Sequence, residues 1–228
     1  MKNRLLISLM LIVLSVAFSF AAGAKPVAPK DILIDNFEDG DIIEAPNWWK
    51  FDALKLKVVD VSGEKIPELG KYALSIQGKT KAWYVGGFGM YLAQPIDKYT
   101  HIQMDVYGTG EKSGMIKVEL YEDDNANKQI EQNPAKNYAP TKDDRFMYEM
   151  KVDWDGWKQI AIPFAEFNDD NPGIGNDTFD PNGEKGSGGL INVQFIVVAA
   201  SAVGNANVKL DNIKVVKIEE TEQPSEKE

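Results

Sequence analysis

The chain has 228 residues, 35 Asp+Glu against 25 Lys+Arg, a formal charge of −10, no cysteine and a single histidine, His101. Those numbers exclude disulfide frameworks, thiolate nucleophiles, Cys-based metal sites and multi-histidine metal centres. With only two arginines, Arg4 and Arg145, the chain also lacks the clustered cations that phosphate neutralisation requires, so nucleic acid is not an expected partner.

Residues 1–24 read as a signal peptide: Lys2 and Arg4 precede an apolar stretch from Leu5 to Phe20, and Ala22-Gly23-Ala24 supplies a small-x-small cleavage pattern before Lys25. The protein is therefore expected to be exported, to the periplasm or the extracellular space, with no membrane span after processing. No cysteine follows the cleavage point, which removes a lipoprotein anchor. Residues 25–30 form a short proline-containing linker, and residues 219–228, almost wholly Glu, Gln, Lys, Ser, Thr and Pro, form an acidic tail expected to be disordered. Between them, residues 31–218 are expected to fold as one domain.

The dominant apolar period in that domain is two. In chain order, strands are expected over 32–37, 55–61, 72–77, 82–92, 101–107, 115–121, 145–153, 157–162, 191–200 and 207–213. Turn-forming Gly, Asn, Asp and Pro separate them, and the longest break is 168–189. No window keeps a 3.6-residue period. Many short strands with polar turns indicate an all-β, antiparallel β-sandwich or barrel. In this scheme Trp157, beside Ile160 and Ile162, is expected in the core.

The glycines of Val85-Gly-Gly-Phe-Gly89 lack phosphate-loop spacing and mark a bulge or close strand contact instead. Asp123-x-Asn125-x-Asn127 has the oxygen spacing of a calcium loop, but Lys128 and Pro134 occupy positions that need Gly and Glu, so a turn is expected. Gly-x-Ser-x-Gly, His-Glu-x-x-His and glycine-rich phosphate motifs are absent from the sequence, and His101 lies on the polar face of an alternating strand. The protein is expected not to be an enzyme, with no catalytic residues.

Five segments carry a resemblance. Ile34-Asp-Asn-Phe-Glu-Asp-Gly40 opens the domain and Val208-Lys-Leu-Asp-Asn-Ile213 closes it. Between them lie Trp83-Tyr-Val-Gly-Gly-Phe-Gly89, the stretch Gly156 to Phe167, and Gly189-Leu-Ile-Asn-Val-Gln-Phe195. In order and spacing the set resembles family 11 carbohydrate-binding modules and their galactose-binding-like relatives. The resemblance implies a jelly-roll β-sandwich whose first and last strands lie side by side. It implies a structural Ca2+ held by Glu38, the Gly40 carbonyl and Asp211. It also implies a polysaccharide or oligosaccharide partner, of β-glucan type.

Sugar recognition stacks flat aromatic rings on the apolar face of a pyranose and meets its hydroxyls with polar side chains. The candidate aromatics are Trp48, Trp49, Trp83, Tyr84, Tyr91 and Tyr138, with Asp143, Asp144, Arg145 and Gln194 as polar partners. The ligand-binding set taken forward is Trp49, Trp83, Tyr84, Asp144, Arg145 and Gln194. The chain departs from family 11 in offering only Asn192 and Gln194 on the strand 191–197 and no arginine in the loop before it. An alternative reading is a structural or assembly protein of the cell envelope. The sheath proteins of spirochaete periplasmic flagella resemble this plan, and envelope or flagellar proteins would then be the partners. Assembly factors of the complex I intermediate-associated type share the Asp-x-Phe-Glu opening.

Overall fold

A computed structural model describes residues 29–44, 46–64, 70–184 and 186–219. The signal peptide expected at 1–24, most of the linker and nearly all of the acidic tail lie outside these residues. Fourteen strands follow in chain order: β1 (Ile32–Asp35), β2 (Trp49–Asp52), β3 (Lys55–Asp60), β4 (Tyr72–Thr80), β5 (Tyr84–Gln94), β6 (His101–Thr109), β7 (Gly114–Asp123), β8 (Gln132–Asn133), β9 (Ala139–Pro140), β10 (Arg145–Val152), β11 (Asp155–Pro163), β12 (Asn168–Asp169), β13 (Gly189–Val198) and β14 (Gly204–Val216).

Twelve of them form two six-stranded antiparallel sheets, packed face to face as an antiparallel β-sandwich, and β8 and β9 pair as a separate two-stranded ribbon. The first runs β11-β6-β14-β4-β3, with β1 also paired to β14; the second runs β12-β10-β7-β13-β5-β2. The long β14 takes two partners along one edge: β4 pairs with Gly204 to Leu210 and β1 with Ile213 to Val215. The first and last strands are thus neighbours. Among the described residues no helix is long and apolar enough to cross a membrane.

The two-residue period explains which side chains fill the space between the sheets. From the first sheet come Leu74, Ile76, Ile102, Met104, Val106, Val208 and Leu210; from the second, Phe88, Ile116, Val118, Leu120, Val193, Phe195 and Val197, all buried. Phe88 and Phe195 stack at 5.0 Å, and Trp48 packs on Phe88 at 5.4 Å. Trp48 is therefore a core residue, its indole N–H donating to Asp35 Oδ2 at 2.7 Å. Trp157 is not in the core. Ile160 and Ile162 share one parity on β11 and face inward, so Trp157, at odd parity, points outward. There it meets the edge of Tyr107 at 5.4 Å and donates to Glu64 Oε2 at 2.6 Å.

Each expected strand overlaps an observed one. The sequence reading missed β2 and the two-residue strands β8, β9 and β12.

Candidate functional site

Because Ile116, Val118 and Leu120 point inward, β7 presents Lys117, Glu119 and Tyr121 on the opposite face of the second sheet. Register then builds two rows across that face. Trp49 lies opposite Gly89, Gly89 opposite Gln194, Gln194 opposite Glu119, and Glu119 opposite Met147. The next row runs Tyr91, Asn192, Tyr121, Arg145. At about 4.8 Å per strand, the first row crosses five strands and is roughly 19 Å wide, the second four and roughly 14 Å.

One side of the face is aromatic. A Cβ on Gly89 would come within 2.7 Å of Trp49 Cζ2, and one on Gly87 would collide with the ring of Phe51. Both rings of the edge strand β2 therefore lie over the backbone of β5, and the glycines make that approach possible. Trp49, Tyr84 and Tyr91 are 37%, 42% and 51% exposed. The Tyr84 hydroxyl donates to Asp52 Oδ2 at 2.5 Å, and partial burial with Asp52 alongside pushes its pKa up.

The centre and far side are polar, and their side chains are linked by hydrogen bonds and ion pairs. Gln194 Nε2 donates to Glu119 Oε2 at 2.7 Å and to the Tyr121 hydroxyl at 3.0 Å, and that hydroxyl donates to Glu119 Oε2 at 2.9 Å. Lys117 bridges Glu119 and Asp170, each at 3.0 Å, and Arg145 grips Asp170 at 2.7 Å. Burial and Glu119 raise the Tyr121 phenol, which stays protonated. Arg145 Nε is buried without an acceptor. Two cations and two carboxylates leave this network without net charge.

Of the sequence-expected ligand set, Trp49, Tyr84, Arg145 and Gln194 come together on this face. Trp83 lies in the turn ahead of β5, in a left-handed conformation (φ 65°), its amide donating to the Ala202 carbonyl. Asp144 is not on the face: it is fully buried, accepting the Asn176 amide at 3.1 Å. Phe51, Lys117, Glu119, Tyr121 and Asp170 were missed. Outward parity on β7 was a usable signal for Lys117, Glu119 and Tyr121; nothing local marks Asp170, which is brought in by the loop after β12.

The expected calcium residues lie where β1 meets β14. Asp211 is buried, opposite the buried Asp105 in register. Its Oδ1 accepts the Asn212 amide at 2.7 Å, and its Oδ2 has no partner. Burial, then Asp105, Glu38 and Asp35, push its carboxyl up to about 7. Glu38 accepts the Tyr72 amide at 2.8 Å, and Gly40 closes a turn with φ +85°. An orphaned buried oxygen among four carboxylates fits a hard cation. A different group has the tighter spacing: Glu122, Asp124 and Asp180 bring oxygens within 4.8 Å of one another, an acidic triad that could hold a metal ion.

A recess of about 710 Å3 lies away from the aromatic face, lined by residues including Ile96, His101, Phe164, Phe179 and Pro181. In it His101 Nδ1 is 2.7 Å from Thr100 Oγ1.

The family model for the xyloglucan binding domain of surface glycan-binding protein B matches residues 39–217. The chain belongs to that family. Among solved structures, the family 11 carbohydrate-binding module from Clostridium thermocellum, in complex with a β-1,3-1,4-mixed-linked tetrasaccharide, is 17% identical over 84% of this chain and 98% of that one, with a TM-score of 0.50. An exo-β-agarase is 12% identical over 84% of this chain and 25% of its own, with a TM-score of 0.51. Both likenesses are of fold, and at that level the family 11 resemblance read from the sequence holds. No curated protein matches the chain. In this xyloglucan-binding-domain family member, the matched residues include every strand of the outer face just described.

Proposed function

We propose that this protein is an exported, non-catalytic carbohydrate-binding protein. It holds a neutral β-linked glucan chain, of the xyloglucan class named in the family's description, across the outer face of the second sheet. The carrying observation is the glycine-seated pair Trp49 and Phe51 beside the charge-balanced network of Lys117, Glu119, Arg145 and Asp170, joined by Gln194 and Tyr121. Flat rings meet the C–H face of a pyranose while amide, carboxylate and guanidinium meet its hydroxyls. Tyr84 and Tyr91 extend the aromatic side, and Trp83 flanks its end. Affinity electrophoresis through soluble xyloglucan and mixed-linkage β-glucan tests this. Wild-type protein should be retarded, and Trp49→Ala should migrate as it does without polysaccharide. Unretarded wild type on every neutral β-glucan overturns the reading.

The supporting cation of this reading is Ca2+ at Glu38, the Gly40 carbonyl and Asp211, pinning the first strand to the last without taking part in binding chemistry. Asp35 and Asp105 add to its negative surround. Export is checked by N-terminal sequencing of the released protein, which should begin at Lys25. No observation favours the envelope- or flagellar-assembly alternative.

A further inference from the structure

A second carboxylate group lies where β7 ends and β10 begins, and the glycan reading makes no use of it. Glu122 is buried, Asp124 half-buried and Asp180 exposed, and their oxygens converge within 4.8 Å. Among the described residues no Lys or Arg forms an ion pair with any of the three; the nearby cations go elsewhere, Lys142 to Glu131 and Arg145 to Asp170. Unneutralised carboxylates at this spacing repel.

An independent observation points to what relieves that repulsion. Asp144 is fully buried, yet its Oδ1 has no hydrogen-bond partner, and neither has Asp124 Oδ1. A Cβ added to Gly175 would collide at once with Asp144 Oδ1 and Asp124 Oδ2. The orphaned Asp144 oxygen and the Asp124 carboxylate therefore face the same point beside Gly175, under the loop that follows β12. That loop folds over the acids through its own donors: Asn176 N to Asp144 Oδ2 at 3.1 Å, Asp180 N to Glu122 Oε2 at 3.0 Å, and Ser187 Oγ to Glu122 Oε1 at 3.4 Å. Buried acceptors without donors are costly, and a cation satisfies several at once.

We propose that Glu122, Asp124 and Asp180, with Asp144 beside them, bind one Ca2+-class cation that fastens the loop over residues 170–188 to the ends of β7 and β10. The donors are all carboxylate oxygens, drawn from the end of β7, the start of β10 and one loop, with no His or Cys in the cluster, which selects a hard cation with adaptable coordination over zinc or copper. The loop matters to the glycan face because Asp170 leaves from its start to grip Arg145 and Lys117, and Asn171 Oδ1 accepts the Arg145 amide at 2.7 Å. This cation is distinct from the one at Asp211, and its binding does not depend on the glycan reading.

The test uses the full chain, stripped with EGTA and titrated with CaCl2 by calorimetry. Three variants join the parent: Asp124→Asn/Asp144→Asn, Asp180→Asn and Asp211→Asn. The double variant should bind one equivalent fewer than the parent, Asp180→Asn should weaken that equivalent at least tenfold, and Asp211→Asn should keep it. In parallel, proteolysis within residues 170–188 should be fast in EGTA and slowed several-fold by Ca2+ in the parent and in Asp211→Asn. A parent loop cleaved equally fast with and without Ca2+ overturns the proposal, as does a double variant with undiminished stoichiometry. Should the double variant fail to fold, unchanged Ca2+ affinity in Asp180→Asn, whose side chain is exposed, overturns it alone.

Discussion

Trp49 is held by what its neighbour lacks. Gly89 leaves the backbone of β5 bare, and the indole lies over it with more than a third of its surface still open. Replacing the ring by Ala removes stacking area from an exposed site, so affinity should fall about tenfold or more while the melting temperature hardly moves; one tenfold step is about 1.4 kcal/mol. Paired calorimetry and thermal melts read both. Trp83, outside the strands, should cost less glycan affinity when cut to Ala. Glu119 is a different kind of residue. It accepts from Gln194 and Tyr121 and neutralises a mostly buried Lys117. Glu119→Ala strands those donors and should destabilise the fold by about 2 kcal/mol as well as weaken binding, read as a lower urea midpoint.

At the scale of elements, the outer face depends on how β2 rides over β5. Gly89→Ala keeps the strand but sets a methyl 2.7 Å from Trp49 Cζ2. The ring must swing away, so glycan affinity should drop nearly as far as in Trp49→Ala with the polar row intact; tryptophan fluorescence should report the displaced ring. The sequence revealed a good part of this architecture. β6, β7 and β14 alternate cleanly, and their inward and outward sets could be read residue by residue. Trp157 was misread because proximity to Ile160 and Ile162 was weighed over parity; on a strand an odd offset puts it on the other face. β2 stayed hidden because a four-residue edge strand, Trp-Lys-Phe-Asp, is too short to display a period. The Asp170 grip on Arg145 was illegible because it joins residues with β10 and β11 between them in the chain, a placement that only tertiary packing sets. For the same reason the tight acidic triad was not foreseen. Asp124 stood in an expected turn and Asp180 in the long break over 168–189, and nothing local says that their oxygens meet that of Glu122.

For the whole molecule, the buried acids set the pH response. With cations removed, Glu122 is pushed up to about 10 and Asp124 and Asp211 to about 7, chiefly by burial. In the unfolded chain such groups titrate near 4. Between those values the native state holds protons that the unfolded state has released, so stability falls as pH rises. In EGTA the melting temperature should therefore climb as pH drops from about 7.5 to 5.5. Saturating Ca2+ should flatten or reverse that slope, since the cation competes with the protons. A scan of melting temperature against pH, with and without Ca2+, checks the sign.

The charge-balanced row across the second sheet also acts as a filter on what can approach. The chain as a whole carries −10, and its field reaches about 8 Å into solution at physiological ionic strength. A polyuronate or sulfated chain would meet repulsion from the body of the molecule and gain no compensating positive patch on arrival. A neutral chain is indifferent to that field and finds a surface whose own ions are already paired. Polyuronates and sulfated polymers should therefore retard the protein less than neutral glucans do, a difference that affinity electrophoresis reads.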